Sequence, residues 1–481
     1  MMLPSPQHDM PAQNEPNAAT NVPVSLASKI VDRRGLSAGP VTLFILGVLW
    51  AMFYLWHTGL LWEPALYEEP NIGRHLARGE GFLSPYDLTA TAPPTSWSPP
   101  VYPFTIGVVY RVLGVDSSAA SLTLSALNAL CFGAVGAGLV VLGRCLFWPP
   151  VGYVAAALFY VHPMFLRATG KFWDAYPALA IFIWLIIAAT AMRRGRATPL
   201  RMAGLGAGLG ALVLINASYG LAIPLLIVIA AGGQGWLRAV RLAGVAVLAF
   251  VLVLTPWTLR NYVIFKRVWF VRGGADMELW FGNLPGATGW LNSYSFDAHP
   301  GHDPVEHRRL LEWGEPKYFE YCGERFCVNY GQDPGAFWRR SLHRVGYLFL
   351  SDPTDPAHYP LMPDWKWHGV VVSRVGLNGL VTALGLAGAW VAWWLGYRTH
   401  WLIGLAVLSV TPFMVTAVWD RHTMPLRLLL LLFMAFVLSA VVHRWRRGWW
   451  PRPAPVLPID QLPLVTPVVV ASRKTCETKA P

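Results

Sequence analysis

The chain has 481 residues, of which 54% are hydrophobic and only 13% charged, with a mean hydropathy of +0.41. An aqueous domain carries about a quarter charged residues, so this composition excludes an ordinary soluble protein and predicts an all-α multispanning membrane protein. The formal net charge of +12 does not indicate nucleic acid as a partner: the basic residues fall in short clusters beside apolar runs, which is the positive-inside pattern.

In chain order, residues 1–38 are polar, without periodicity, and predict a disordered cytoplasmic tail. No cleavable signal peptide is recognisable, and 40–61 reads as a first span that doubles as a signal anchor behind Arg33 and Arg34. Further apolar runs at 117–143, 150–166, 172–192, 202–217, 219–234, 239–258, 370–396, 401–418 and 424–443 bring the expectation to about ten spans. Arginines alternate between successive loops (Arg144; Arg193, Arg194, Arg196 and Arg201; Arg238 and Arg241; Arg398; Arg444, Arg446 and Arg447), which predicts cytoplasmic termini. The domain expectation is a tail at 1–38, an N-terminal transmembrane core at 39–259 with its first exoplasmic loop at 62–116, and an exoplasmic cap at 260–367. C-terminal spans at 368–445 and a Pro-rich cytoplasmic tail at 446–481 follow. No internal repeat is visible.

The first loop is the most distinctive stretch. Glu63, Glu68 and Glu69 stand where a hydrophobic helix leaves the bilayer, a costly place for a charged carboxylate. From Glu68 the pattern predicts an interfacial amphipathic helix, with Ile72 and Leu76 on one side and Arg74, His75 and Arg78 on the other. A stiff SWSPP segment (Trp97, Ser98, Pro99 and Pro100) then leads into a second interfacial helix from Tyr102. Asp174 and Asn216, at span ends, read as caps or packing residues. Cys322 and Cys327 can pair in an oxidising compartment. His299, His302 and His307 are spaced as a solvated loop rather than a metal site, and no Asp-x-Asp pair occurs. Trp280, Trp290 and Tyr294 are candidates for stacking on a sugar.

The run YEEPNIGRHLARGEGF followed by PPTSWSPPVYPFTIGVVYRVLG resembles the first-loop signature of glycosyltransferase family 39 and related polyprenyl-phosphate-dependent enzymes of GT-C type. These are similar to protein O-mannosyltransferases and lipid A aminoarabinose transferases. TPWTLRNYVIFKR (255–267), ELWFGNLPGATGW (278–290) and DRHTMPLR (420–427) resemble later segments of the same family, in the same order.

The resemblance implies a GT-C-like membrane enzyme, of the bacterial inner or plasma membrane, that takes a sugar from a polyprenyl-phosphate donor on the exoplasmic face. The acceptor is unknown (glycolipid, polysaccharide or protein), and no cofactor or metal is called for. An acidic residue of the first loop is then the general base, with Glu68 on the matching position, Glu69 next and Glu63 the displaced alternative. Arg260, in its PW-x-x-RNY context with Asn261, leads the phosphate candidates, followed by Arg421, His422 and Lys171; Trp97 and Tyr102 belong to the elbow beside the base. Arginine matches phosphate oxygens bidentately, and one carboxylate without a covalent intermediate inverts the anomeric centre. Arg427, inside an apolar span, needs a partner such as Asp420. A transporter or flippase of lipid-linked sugars and a non-catalytic membrane subunit stay open as alternatives.

Overall fold

The computed structural model describes residues 33–62, 68–291, 295, 297–351 and 375–453. Among these, regular structure is helical; β pairing is confined to two isolated bridges, Leu83–Pro94 and Trp290–Val418. Six helices among the described residues are long and apolar enough to cross a membrane, and five shorter apolar helices accompany them. The result is an all-helical, multi-pass architecture.

Helix α1 (Arg33–His57) starts earlier than the apolar run at 40–61 suggests. It packs on α4 (Ser118–Leu146), where Gly133 lets the α1 backbone at Phe44 approach within what would be 2.6 Å of a Cβ. Ser117 caps α4 by accepting from the Ala120 amide. Two helices fill the predicted interfacial positions between them: α2 (Glu68–Arg78) and α3 (Val101–Leu113). They cross through Gly73 and Gly107, since a Cβ on Gly107 would stand 2.7 Å from the Leu76 Cβ. One residue of α2 departs from the expected polar face. His75 is fully buried, its ring nitrogens bonded to Glu80 and to the Asp87 carbonyl.

The next expected span is broken. Helix α5 (Pro149–Val161) stops at His162, and a short α6 (Pro163–Ala168) restarts with proline at its first turn. Helix α7 (Ala175–Ala191) ends in a kinked turn over Met192–Arg196, where Gly195 takes a left-handed φ of 98°. Helix α8 (Pro199–Ile215) ends at Asn216, whose side chain caps a 3₁₀ turn that leads into α9 (Ile223–Ala231).

Helix α10 (Trp236–Phe265) packs along α8 and runs past the predicted boundary at 260, so Arg260 lies within the helix rather than beyond it. The cap expected after it contains α11 (Ala275–Gly282), α12 (Pro304–Gln332) and α13 (Pro334–Leu350). Met277, Trp280, Phe281, Leu310, Tyr318 and Phe319 form its apolar centre, and Trp97 of the first loop enters the same cluster. Cys322 and Cys327 both stand on α12 as free thiols, one buried and one exposed, so the pairing that the sequence leaves open is not made. The last helices are α14 (Leu377–Trp394), α15 (His400–Val410) and α16 (Asp420–Arg447), with α16 buried against α14 and α5.

Candidate active site

The acidic side of the site grows from the first turn of α2. The α2–α3 crossing turns Glu69 inward with Pro70, Ile72 and Gly73, leaving Glu69 only 5% exposed. Its Oε2 has no hydrogen-bond partner among the described residues. Glu68, one position back, is half-buried, and its Oε1 accepts from the Tyr86 hydroxyl at 3.3 Å. Tyr102, on α3, buries its phenol without a partner and feels the charges of Glu69 and Asp174.

Asp174 is the member that sequence reasoning assigned to capping. It occupies the N-cap position of α7, yet its side chain makes no cap bond, and it is buried beside the carboxylates of α2. Burial, then the neighbouring Asp174 and Glu68, push the Glu69 carboxyl up to about 8, with Arg421 opposing. Burial likewise lifts Asp174 to about 6, against the pull of Arg421 and Arg272. Desolvation favours the neutral acid, and like charges reinforce it.

The cationic side comes from two distant stretches. The 169–174 loop carries Lys171 and Trp173; Asn128 holds it by donating to the Thr169 and Lys171 carbonyls, and Phe172 anchors it in the cluster around Tyr102. Trp419 and Arg421 come from the start of α16, tied to the 289–291 segment by Leu291 N–H donating to Val418 O at 2.9 Å. The two indoles meet with ring centroids 5.1 Å apart. Lys171 Nζ stands 4.2 Å from the Trp173 ring centre and 5.3 Å from that of Trp419, and Arg421 stands 5.2 and 5.6 Å from the same rings. Cations over indole faces are attracted by the ring quadrupole and held in a fixed plane.

Lys171 and Arg421 line a cavity of about 300 Å³, together with Arg167, His162, Tyr54, Trp173 and Asp420. Glu69 and Asp174 are not part of its lining; they border it through Arg421, whose charge both carboxylates feel. Arg427, behind the wall, is 1% exposed; it donates to Ser351 Oγ at 2.7 Å and lies 3.9 Å from Asp420 Oδ1, the partner its position in an apolar helix demands.

Other expected residues sit elsewhere. Arg260 donates to the carbonyls of Thr95 (2.7 Å) and Phe82 (3.2 Å) and stacks 4.7 Å over Trp257, so its fork is used on the first loop. Asn261 is buried and donates to the Trp269 and Val271 carbonyls, fixing the turn after α10. Neither lines the cavity. His422 lies flat on Phe413 at 3.8 Å, and its Nδ1 accepts from the Trp419 amide, which makes it an end-of-helix cap beside Arg421. Trp97 is 5% exposed and packs edge-on to Tyr86 at 4.8 Å. Trp280 and Trp290 are packed inside the cap and against Tyr347 rather than presented for stacking. His299 is half-buried, in ring contact with Tyr86, Trp97 and Phe281. Among the described residues, no group of three His, Cys, Asp or Glu is placed to hold a metal ion. Glu63 and Tyr294 lie outside the described residues.

No family model matches the sequence, and no curated protein matches it. Among solved structures the chain is similar to the Archaeoglobus fulgidus oligosaccharyltransferase in complex with Zn and sulfate. That match has 13% identity and a TM-score of 0.48 over 84% of this chain and 50% of the other. The same enzyme tethered with an acceptor peptide containing the NVT sequon gives 12% identity and a TM-score of 0.46, over 85% and 51%. ArnT from Cupriavidus metallidurans bound to undecaprenyl phosphate gives 15% identity and a TM-score of 0.37, over 84% and 78%. The chain thus spans about half the length of the oligosaccharyltransferase. These identities and scores are too low to assign a family.

Proposed function

We propose that this chain is a membrane glycosyltransferase that moves a hexosyl or pentosyl group from a polyprenyl-phosphate donor to an acceptor hydroxyl on the exoplasmic face. The observation that carries the reading is the juxtaposition of a buried carboxylate with an unbonded oxygen, Glu69, and a cavity walled by Lys171 and Arg421 over two indoles. A leaving lipid phosphate needs fixed positive charge, and the attacking hydroxyl needs a base in a site shielded from water.

In this reading the base is Glu69 rather than Glu68. Glu68 spends one oxygen on the Tyr86 hydroxyl, whereas Glu69 keeps an oxygen in reserve and shares its burial with Asp174. Burial and the facing carboxylates of Asp174 and Glu68 raise the Glu69 carboxyl, which strengthens it as a base once it is ionised. The carboxylate takes the proton of the acceptor hydroxyl as its oxygen bonds to the anomeric carbon. The bond from that carbon to the phosphate oxygen breaks with its electron pair on the phosphate, and Lys171 and Arg421 hold the charge. A single displacement of this kind inverts the anomeric centre.

The test uses the purified full chain in lipid nanodiscs with polyprenyl-phosphate-linked radiolabelled sugars, following transfer to a lipid extract. Glu69→Gln is expected to lower turnover by roughly 100- to 10,000-fold while leaving donor binding nearly intact. Glu68→Gln is expected to lose far less. An active Glu69→Gln beside a dead Glu68→Gln would return the base to Glu68, and full activity in both would remove α2 from the chemistry.

A further inference from the structure

A second buried carboxylate lies outside this site. Glu315 is 5% exposed on α12, a helix that breaks at Gly314, whose φ of 72° and ψ of 163° suit glycine alone, and resumes through Pro316. The break aims the Glu315 side chain out of the cap and into the first loop. There Oε2 accepts from the Ser96 amide (2.7 Å) and the Ser96 hydroxyl (2.6 Å), and Oε1 accepts from the Thr95 hydroxyl. Thr95 and Ser96 are both fully buried, so the bonds are shielded from competing water.

The opposite side of the same segment is held by Arg260, which donates to Thr95 O and Phe82 O and offsets the Glu315 charge. Thr95 Oγ1 in turn accepts from the Trp97 amide at 3.0 Å. Trp97 packs edge-on to Tyr86, and the Tyr86 hydroxyl donates to Glu68 beside Glu69. A continuous line of contacts therefore runs from the cap to the first turn of α2.

We infer that Glu315 is a positioning residue: by clamping Thr95 and Ser96 against Arg260, it sets Trp97 and Tyr86 and so fixes the direction in which the Glu68–Glu69 turn points into the site. This rests on the glycosyl-transfer reading for its catalytic consequence, and on the hydrogen bonds alone for the latch. Glu315→Gln keeps the volume but leaves one end unable to accept: with its oxygen on Ser96, the NH₂ faces the Thr95 hydroxyl, which loses its acceptor and already accepts from the Trp97 amide. A base displaced by about 1 Å costs as much as 100-fold in rate.

The experiment compares wild type, Glu315→Gln and the gentler Ser96→Ala in nanodiscs by two measurements. Hydrogen exchange on the peptide spanning 94–98 reads the latch whether or not the enzyme turns over; protection is expected to fall in Glu315→Gln and partly in Ser96→Ala. Sugar transfer is then expected to show kcat lowered roughly 10- to 100-fold, with the Kd for sugar-free polyprenyl phosphate within about twofold of wild type. Unchanged exchange in a folded Glu315→Gln overturns the latch. Lost protection with unchanged kcat overturns the positioning role, as does a parallel loss of polyprenyl-phosphate binding, which marks general damage. If Glu315→Gln does not fold, Ser96→Ala decides on the same two readouts. A wild type that transfers from no donor defeats the glycosyl-transfer reading and the catalytic role with it, and leaves the exchange data to decide the latch.

Discussion

At the scale of single residues, the site is an arrangement of charges that the fold forces close together. Glu69 illustrates the sign of the effect. Its carboxyl is raised from the ordinary value of 4.5 to about 8, so the folded state holds a proton that the unfolded chain has released across that interval. The group's contribution to stability is therefore complete below about pH 4.5 and is lost as pH rises toward 8. Glu69→Gln, which never ionises, is expected to melt progressively higher than wild type as pH goes from 5 to 9. Thermal unfolding in detergent across that range measures it, and a constant difference would refute the buried charge. Lys171→Ala and Arg421→Ala are expected to weaken binding of sugar-free polyprenyl phosphate by roughly tenfold or more each, because charge-assisted hydrogen bonds contribute about 1.5–3 kcal/mol. Equal affinity in both variants would move the phosphate elsewhere.

Part of this was legible in the chain. Paired acids at the start of an amphipathic segment mark α2, Tyr102 stands at the start of the second interfacial helix, and Lys171 and Arg421 are named among the basic candidates. Asp174 was not, because an Asp before a helix usually caps it; only its missing cap bond and its burial reveal another use. Arg260 misled in the other direction. A guanidinium that suits phosphate suits backbone carbonyls equally, and sequence does not say that Thr95 O and Phe82 O are 2.7 and 3.2 Å away.

At the scale of elements, the decisive contact is the α2–α3 crossing, where Gly73 and Gly107 allow two interfacial helices to touch. An alanine at 107 would place a Cβ 2.7 Å from the Leu76 Cβ, on a pair of short helices with little freedom to separate. Gly107→Ala is expected to destabilise the protein by about 1–3 kcal/mol through overpacking and to lower turnover by shifting Glu69. Gly204→Ala, which meets nothing within 4 Å inside α8, is the control and is expected to hold or slightly raise stability and leave turnover unchanged. Melting temperature and transfer rate for the pair provide the check. Helix existence followed well from apolar period and proline placement, as at α5 and α8. Helix ends did not: α10 continues through Arg260, which a hydropathy run reads as a boundary, because the first loop's Thr95 and Phe82 carbonyls accept its guanidinium there.

At the scale of the whole molecule, the alternation of arginines between loops predicts the orientation. A reporter fused after Arg196 is expected inside and one after Asn292 outside; the reverse would put the proposed site on the wrong face. The all-helical class follows from composition alone, but the division into six long and five short apolar helices needs the fold, since a run of apolar residues does not show where it is interrupted. His162 and Asn216 are the interruptions that matter, each ending one helix and capping the next.

Those short elements also set a thickness. The 13 residues of α5 rise about 20 Å at 1.5 Å each, well under the roughly 30 Å of a bilayer's hydrocarbon. Where lipid lies beside such short elements, it would thin toward the protein to match them. The residues at those ends and next to them, His162, Asn216, Lys171 and Arg421, stand around the cavity and its neighbour. Thinning of that kind would lower headgroups and water toward the basic wall, sparing a lipid phosphate the climb from an undisturbed surface. Transfer should run faster in vesicles of short-chain phosphatidylcholine than in long-chain ones, with the slope flattened when donor is presented in detergent. The acyl length of the host membrane would then act on this protein as a tuning variable for substrate entry.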